Sequence, residues 1–161
     1  MAPEEMITVH TSRFGDIDLP AATVITFPEG IIGFPNAGRW VIFECGDEGI
    51  FSWLQSCDFP DLAFVICDAQ RILPNYQVAV GGKECELLNL RRPEDGVVAL
   101  IMVIADDPLE TTANLLGPII MNVETRLGMQ LALLNPNYTT RYRIFAKNAV
   151  KMEEEADNVG A

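Results

Sequence analysis

The sequence predicts a mainly β protein, a small antiparallel β-barrel or sandwich of about ten short strands with a minor helix and a polar C-terminal tail. Three observations carry this. Apolar runs of strand length recur along the chain, rich in Val, Ile and Phe. Gly- and Pro-containing turns separate them at regular spacing. The 161 residues, 49% hydrophobic and 21% charged, suit one globular domain with an ordinary core. The expected division is one β domain over 1–145 and a charged tail over 146–161.

The elements follow in order. MITVHTSRFG alternates, with β-branched residues, and Gly15-Asp16 reads as a turn. Ile17 and Leu19 start a short strand that Pro20 ends. Residues 23–27, TVITF, read as strand. FPEGIIGFPN then packs two glycines and two prolines into ten residues, the mark of a shaped loop. Near-continuous apolar runs at 40–45, 50–55, 62–67 and 97–105 suggest strands buried on both faces. The breaks at 46–49 and 57–60 are hairpin-length.

Residues 73–76 read as a turn into 77–80, Gly81-Gly82-Lys83 as a hairpin turn, and 85–90 as one helical turn or a strand. Segments 91–96 and 106–108 are turns. Residues 112–116 and 119–125 read as a strand pair interrupted by Gly117-Pro118. A hairpin turn at 125–128 leads into 129–134, and Asn135-Pro136-Asn137 turns into 138–145. The last stretch, AKNAVKMEEEADNVGA, favours at most a brief helix.

Charge narrows the function classes. A net charge of −12, from 23 acids against 11 bases, argues against direct nucleic-acid binding, which needs basic surface to replace counterions. It suits solubility, and equally a basic protein partner. Acids dominate from Glu29 to Asp68. Bases dominate from Arg126 to Lys151, before the acids of the tail. No apolar run reaches the roughly 20 residues of a membrane helix, and the acidic start does not resemble a signal peptide, so a cytoplasmic location without membrane attachment is expected.

Chemistry is sparse. GxSxG, GxxxxGK[ST] and GxGxxG are absent. His10 is the single histidine, too few for a zinc hydrolase, and it sits in an alternating strand. Cys45, Cys57, Cys67 and Cys85 show no paired-ligand spacing and read as reduced structural thiols. The carboxylate pairs Asp58 with Asp61, Asp106-Asp107 and Glu94-Asp95 all lie in turns beside proline, where Asp bonds the local backbone. No catalytic residue, metal ligand or cofactor is therefore expected.

Two apolar segments stand out. In the loop 27–35, Phe27, Ile31, Ile32 and Phe34 either plug the end of a barrel or offer a partner a hydrophobic contact. In TTANLLGP, Asn114 and Leu115 precede a Gly-Pro bend. That bend either only shapes the sheet or leaves backbone free to pair with a partner strand.

Residues 8–145 resemble the flagellar assembly factor family FliW. The resemblance rests on TSRFG at 11–15, ITFPEG at 25–30 with Gly33-Phe34, WLQS at 53–56, DLAF at 61–64, TANLLGPI at 112–119 and Asn122, in that order and spacing. Cys57 and Cys67 depart from the pattern, and the tail from Ala146 on matches nothing in it. The resemblance implies a cytoplasmic, β-rich, non-enzymatic regulator. It would bind flagellin, and would also bind the RNA-binding translational repressor CsrA and stop it silencing flagellin messenger RNA, the two partners competing. Under that reading Phe27, Ile31, Ile32, Phe34 and Leu115 are candidate flagellin contacts. Asp58, Asp61, Asp106 and Asp107 are candidates for repelling RNA phosphate once CsrA is docked. Asn114 joins the candidate partner-binding set. The alternatives are a flagellin chaperone without CsrA control, and a small barrel enzyme using a carboxylate pair.

Overall fold

The computed structural model describes residues 5–45 and 51–144. The predicted turn at 46–49 and the tail 146–161 lie outside the described residues. Strand β1 (Met6–Thr11) and β2 (Gly15–Pro20) form a separate antiparallel hairpin. The larger sheet contains β3 (Ile25–Thr26), β4 (Arg39–Cys45), β5 (Phe51–Ser56), β6 (Ala63–Asp68), β7 (Val97–Val103), β8 (Thr112–Ala113), β9 (Ile119–Asn122), β10 (Leu127–Gln130) and β11 (Tyr142–Arg143). Two α-helices, α1 (Ala69–Ile72) and α2 (Gly82–Leu88), and one 3-10 turn (Pro93–Asp95) lie between β6 and β7.

Closure comes from β7. Its first half pairs with β9 through Val97↔Met121 and its second half with β8 through Met102↔Ala113. The ring then runs β3-β4-β5-β6-β7-β9-β10 and back to β3, so seven strands close a barrel and remove its edges. All pairs are antiparallel except β10 with β3, which run parallel through Leu127↔Thr26. The sheet is antiparallel, as expected, apart from this one seam. Two residues of β3 are enough there, because Thr26 N also donates to Arg126 O at 2.8 Å.

Alternation fills three cores. Leu54, Ile66, Ala99, Ile119 and Met121 point into the barrel around Trp40 and Phe27. Their strand neighbours Cys67 and Leu100 point the other way, with Tyr76, Ala113 and Leu115. Ile120 packs outward against Leu88, Leu90 and Leu131. Strands β6, β7 and β9 are thus buried on both faces, which is why their sequences are apolar up to the terminal Asp68 and Asn122.

Three local expectations change. Gly81-Gly82-Lys83 is no hairpin turn: Gly82 and Lys83 open α2, which ends at Asn89 in the left-handed region (φ 56°). Its last carbonyls are held by Asn122, whose Nδ2 donates to Leu88 O at 2.9 Å and Asn89 O at 3.2 Å. Residues 112–116 and 119–125 do not pair with each other, since β8 and β9 each pair with a different half of β7. Residues 131–141 carry no regular strand, although Leu131 N and Leu133 N still donate to Pro118 O and Leu116 O.

Candidate functional site

The loop after β3 is a chain of tight turns. Gly30 N donates to Phe27 O (2.9 Å), Ile31 and Phe34 exchange both backbone bonds (3.2 and 2.6 Å), and Ala37 N donates to Phe34 O (3.1 Å). Gly30 (φ 69°) and Gly33 (φ 90°) supply the left-handed residues these reversals need. At Gly30 a β-carbon would lie 2.4 Å from Phe34 O, so only glycine fits.

These turns sort the side chains by direction. Phe27, Ile31 and Ala37 are buried in the barrel core, and Trp40 Nε1 donates to Ala37 O at 2.7 Å. Ile32 (60% exposed) and Phe34 (42%) face outward. The loop is therefore a plug on its inner face and a rigid apolar knuckle on its outer one. Gln130 straps the knuckle down: its Oε1 accepts from Ile32 N (2.8 Å) and its Nε2 donates to Gly117 O (3.0 Å).

Two open apolar grooves flank the knuckle. The first, about 470 Å³, lies between Phe34-Pro35 and the loop carrying Phe59, Pro60, Asp61 and Leu62. The second, about 390 Å³, runs between Ile32-Phe34 and Asn114, Leu116 and Gln130, with Phe64 on its floor. The Phe34 ring meets Phe64 edge-on at 5.9 Å.

The far wall of the first groove is built from beneath. Gln55 is fully buried, and its Nε2 donates to Ser56 O, Pro60 O and Leu62 O at 3.0–3.2 Å. Ser56 Oγ accepts from Asp58 N and Phe59 N. Asp58 is gripped by the Arg39 guanidinium, and this hydrogen bond and charge raise the arginine further above its ordinary value. Asp61 accepts from Ser12 Oγ. Beside them the half-buried Cys57 thiol is pushed up by burial, against the pull of Arg39.

The predicted contact residues thus divide. Ile32, Phe34, Asp61 and Asn114 meet around the two grooves, with Asp58 at the base of one wall. Phe27, Ile31 and Leu115 are corrected: at 0%, 2% and 3% exposure they are core, and cannot be the surface a partner touches. Of the two readings left open for the Gly-Pro bend after Leu116, backbone free for a partner strand is the one that residues 114–116 contradict. Asn114 N donates to Ile101 O, Leu115 N to Thr139 O and Leu116 N to Asn114 Oδ1, so no edge is left for strand addition there. Asp106 and Asp107 line neither groove; they sit in the turn after β7, where Asp107 caps Leu109 N at 3.0 Å.

Sequence reasoning missed Phe59 and Gln130. Phe59 carries the same signal as Phe34, an aromatic beside proline in a turn, and is 44% exposed. Gln130 is a lone polar residue in an apolar strand. Among the described residues no three His, Cys, Asp or Glu gather as metal ligands, and no helix is long and apolar enough to cross a membrane. His10 is exposed and pairs with Asp16 at 2.7 Å.

Comparison with known proteins gives consistent matches. The family model described as FliW protein matches residues 8–144. A flagellar assembly factor FliW of Geotalea uraniireducens is 37% identical over 89% of this chain and 87% of its own length. The protein of the same name from Bdellovibrio bacteriovorus is 35% identical, over 86% and 79% respectively. A solved structure, the crystal structure of the flagellar assembly factor FliW, superposes with a TM-score of 0.80 at 34% identity, covering 86% of this chain and 97% of that one.

Proposed function

The chain belongs to the FliW family, and on that premise we propose that it is a cytoplasmic, non-enzymatic regulator that binds flagellin and, when free, captures CsrA and relieves its repression of flagellin messenger RNA. The observation that carries the reading is the knuckle of Ile32 and Phe34 between two apolar grooves. Exposed aromatic and aliphatic side chains held on a rigid loop cost little order on binding, which suits an apolar protein segment. An amphipathic helix laid across Phe34 would place apolar residues in both grooves.

CsrA capture has an electrostatic basis. An RNA-binding repressor carries basic surface, and a body of net charge −12 is drawn to it. Once docked, the carboxylates of Asp61, Asp106 and Asp107 add negative potential against RNA phosphate.

The test is capture from lysate of motile cells on the full chain, repeated with added flagellin. CsrA displaced by flagellin supports the switch. Flagellin held without CsrA leaves a chaperone lacking translational control. Neither partner held overturns the reading.

A further inference from the structure

The tip of the β1–β2 hairpin meets the barrel at the first groove. Ser12 N donates to Pro60 O at 3.0 Å and Ser12 Oγ to the Asp61 carboxylate. Next to it, the Phe14 ring sits edge-on to Phe43 (5.7 Å) and Trp53 (5.5 Å), which are cross-strand partners on β4 and β5. The Arg13 guanidinium lies 4.7 Å from the Trp53 ring centre. The tip is shaped in advance, because Thr11 Oγ1 donates to Gly15 O (2.8 Å) and accepts from Phe14 N (2.7 Å).

Pro60 and Asp61 belong to the wall facing Phe34. Phe59, Pro60 and Asp61 are exposed, so burial does not hold that wall in place. Its position depends on polar bonds, from Gln55, Ser56 and Arg39 underneath and from Ser12 at the side. Among the described residues only the Ser12 bonds come from a separate sheet, and that sheet is seated by Phe14 and Arg13 on Trp53.

We propose that the hairpin tip is a positioning device in which Ser12, seated through Phe14 and Arg13 on Trp53, fixes the 57–62 wall of the groove opposite Phe34 and so sets how tightly the groove holds an apolar protein segment. This rests on the reading that the groove takes part of flagellin. Ser12, Arg13 and Phe14 act through the wall.

The test compares the full-length wild type with Ser12→Ala, Ser12→Thr and Phe14→Ala. Amide exchange at Phe59, Asp61 and Leu62, Trp53 fluorescence and flagellin affinity are measured together. Losing the Ser12 hydroxyl should speed exchange along the wall and weaken flagellin binding, each by about tenfold, the equivalent of one hydrogen bond to a charged group. Ser12→Thr should restore both. Phe14→Ala should change Trp53 emission and loosen the same amides. Unchanged exchange at these three amides in both alanine variants overturns the proposal, as does a loosened wall with unaltered affinity. A wild type that does not hold flagellin overturns the proposed function and the binding half of this inference. In that case the exchange data still decide whether the hairpin fixes the wall.

Discussion

The Phe27 ring occupies the space that a β-carbon on Gly128 would need. An added methyl there would lie 2.6 Å from two ring carbons. Phe27 is fully buried and begins the plug, while Gly128 sits in β10, so the glycine lets the plug enter between the seam strands. Gly128→Ala should cost about 1–3 kcal/mol by overpacking, read from urea unfolding. Phe27→Leu in the same chain should recover part of that loss, and simple additivity of the two changes would refute the contact.

The two neighbouring isoleucines of the knuckle should behave in opposite ways. Ile31→Ala empties a buried site and should destabilise the protein by about 2–5 kcal/mol. Ile32→Ala should leave the melting temperature within a few degrees and weaken flagellin capture. Calorimetry beside a binding titration separates them, and a melting loss at Ile32 with full capture would place that residue in the core.

Replacing Gln55 by Leu keeps the volume and removes the donor to the carbonyls of Ser56, Pro60 and Leu62. Pro60 O keeps Ser12 N and Leu62 O keeps Ser56 N as donors, and the buried Gln55 Oε1 that lacks a partner among the described residues is removed as well, so the net loss should be about 0.5–1.5 kcal/mol. The same change should raise the mobility of residues 57–62 in amide exchange. A rigid loop in Gln55→Leu would mean that Ser12, Ser56 and Arg39 define it without Gln55.

Charge should govern the encounter with CsrA. Association should weaken as salt rises to physiological strength and beyond, where the Debye length falls below about 8 Å. Changing Asp58, Asp61, Asp106 and Asp107 together to Asn should reduce relief of repression more than it reduces binding. Asp58 is neutralised by Arg39, so Asp61, Asp106 and Asp107 should carry most of the effect. A quadruple variant that releases RNA as well as the wild type ends the electrostatic account.

The thiols set an alkaline limit. Burial pushes Cys67 up to about 12 from an ordinary 9.0. A group whose folded value is raised contributes stability that is fully present below its unfolded value and is lost as pH rises through the folded one. Stability should therefore fall between about pH 9 and pH 12, and less steeply in Cys67→Ala. Native Cys67 should also resist alkylation at pH 8 until the chain unfolds, a point mass spectrometry can check.

Much of this fold was legible because alternation and turn chemistry are local. Residues 51–56 and 97–103 announce buried strands through their side chains alone. The seam between Thr26 and Leu127 was not legible, since two residues of β3 carry no periodic signal and their partner is remote in sequence. Helix α2 begins at Gly82 with no side-chain cap, so nothing local contradicts a turn. At the candidate site, composition marked 27–35 as unusually apolar but could not assign direction. Whether Ile31 or Ile32 faces solvent is decided by the turn that Gly33 permits. Leu115 is similar: it lies beside the exposed-prone Asn114, yet its backbone is tied to Thr139 and its side chain joins Tyr76 and Ala113.

The parallel seam carries a kinetic consequence. Its two strands are separated by about one hundred residues, and contacts of such separation form late and slowly. During synthesis the barrel cannot shut until β10 has left the ribosome, so strands β4 to β7 wait with apolar faces unsealed. Nascent protein should therefore be most vulnerable to aggregation before residue 130 emerges, and conditions that slow elongation before that point should lower its yield.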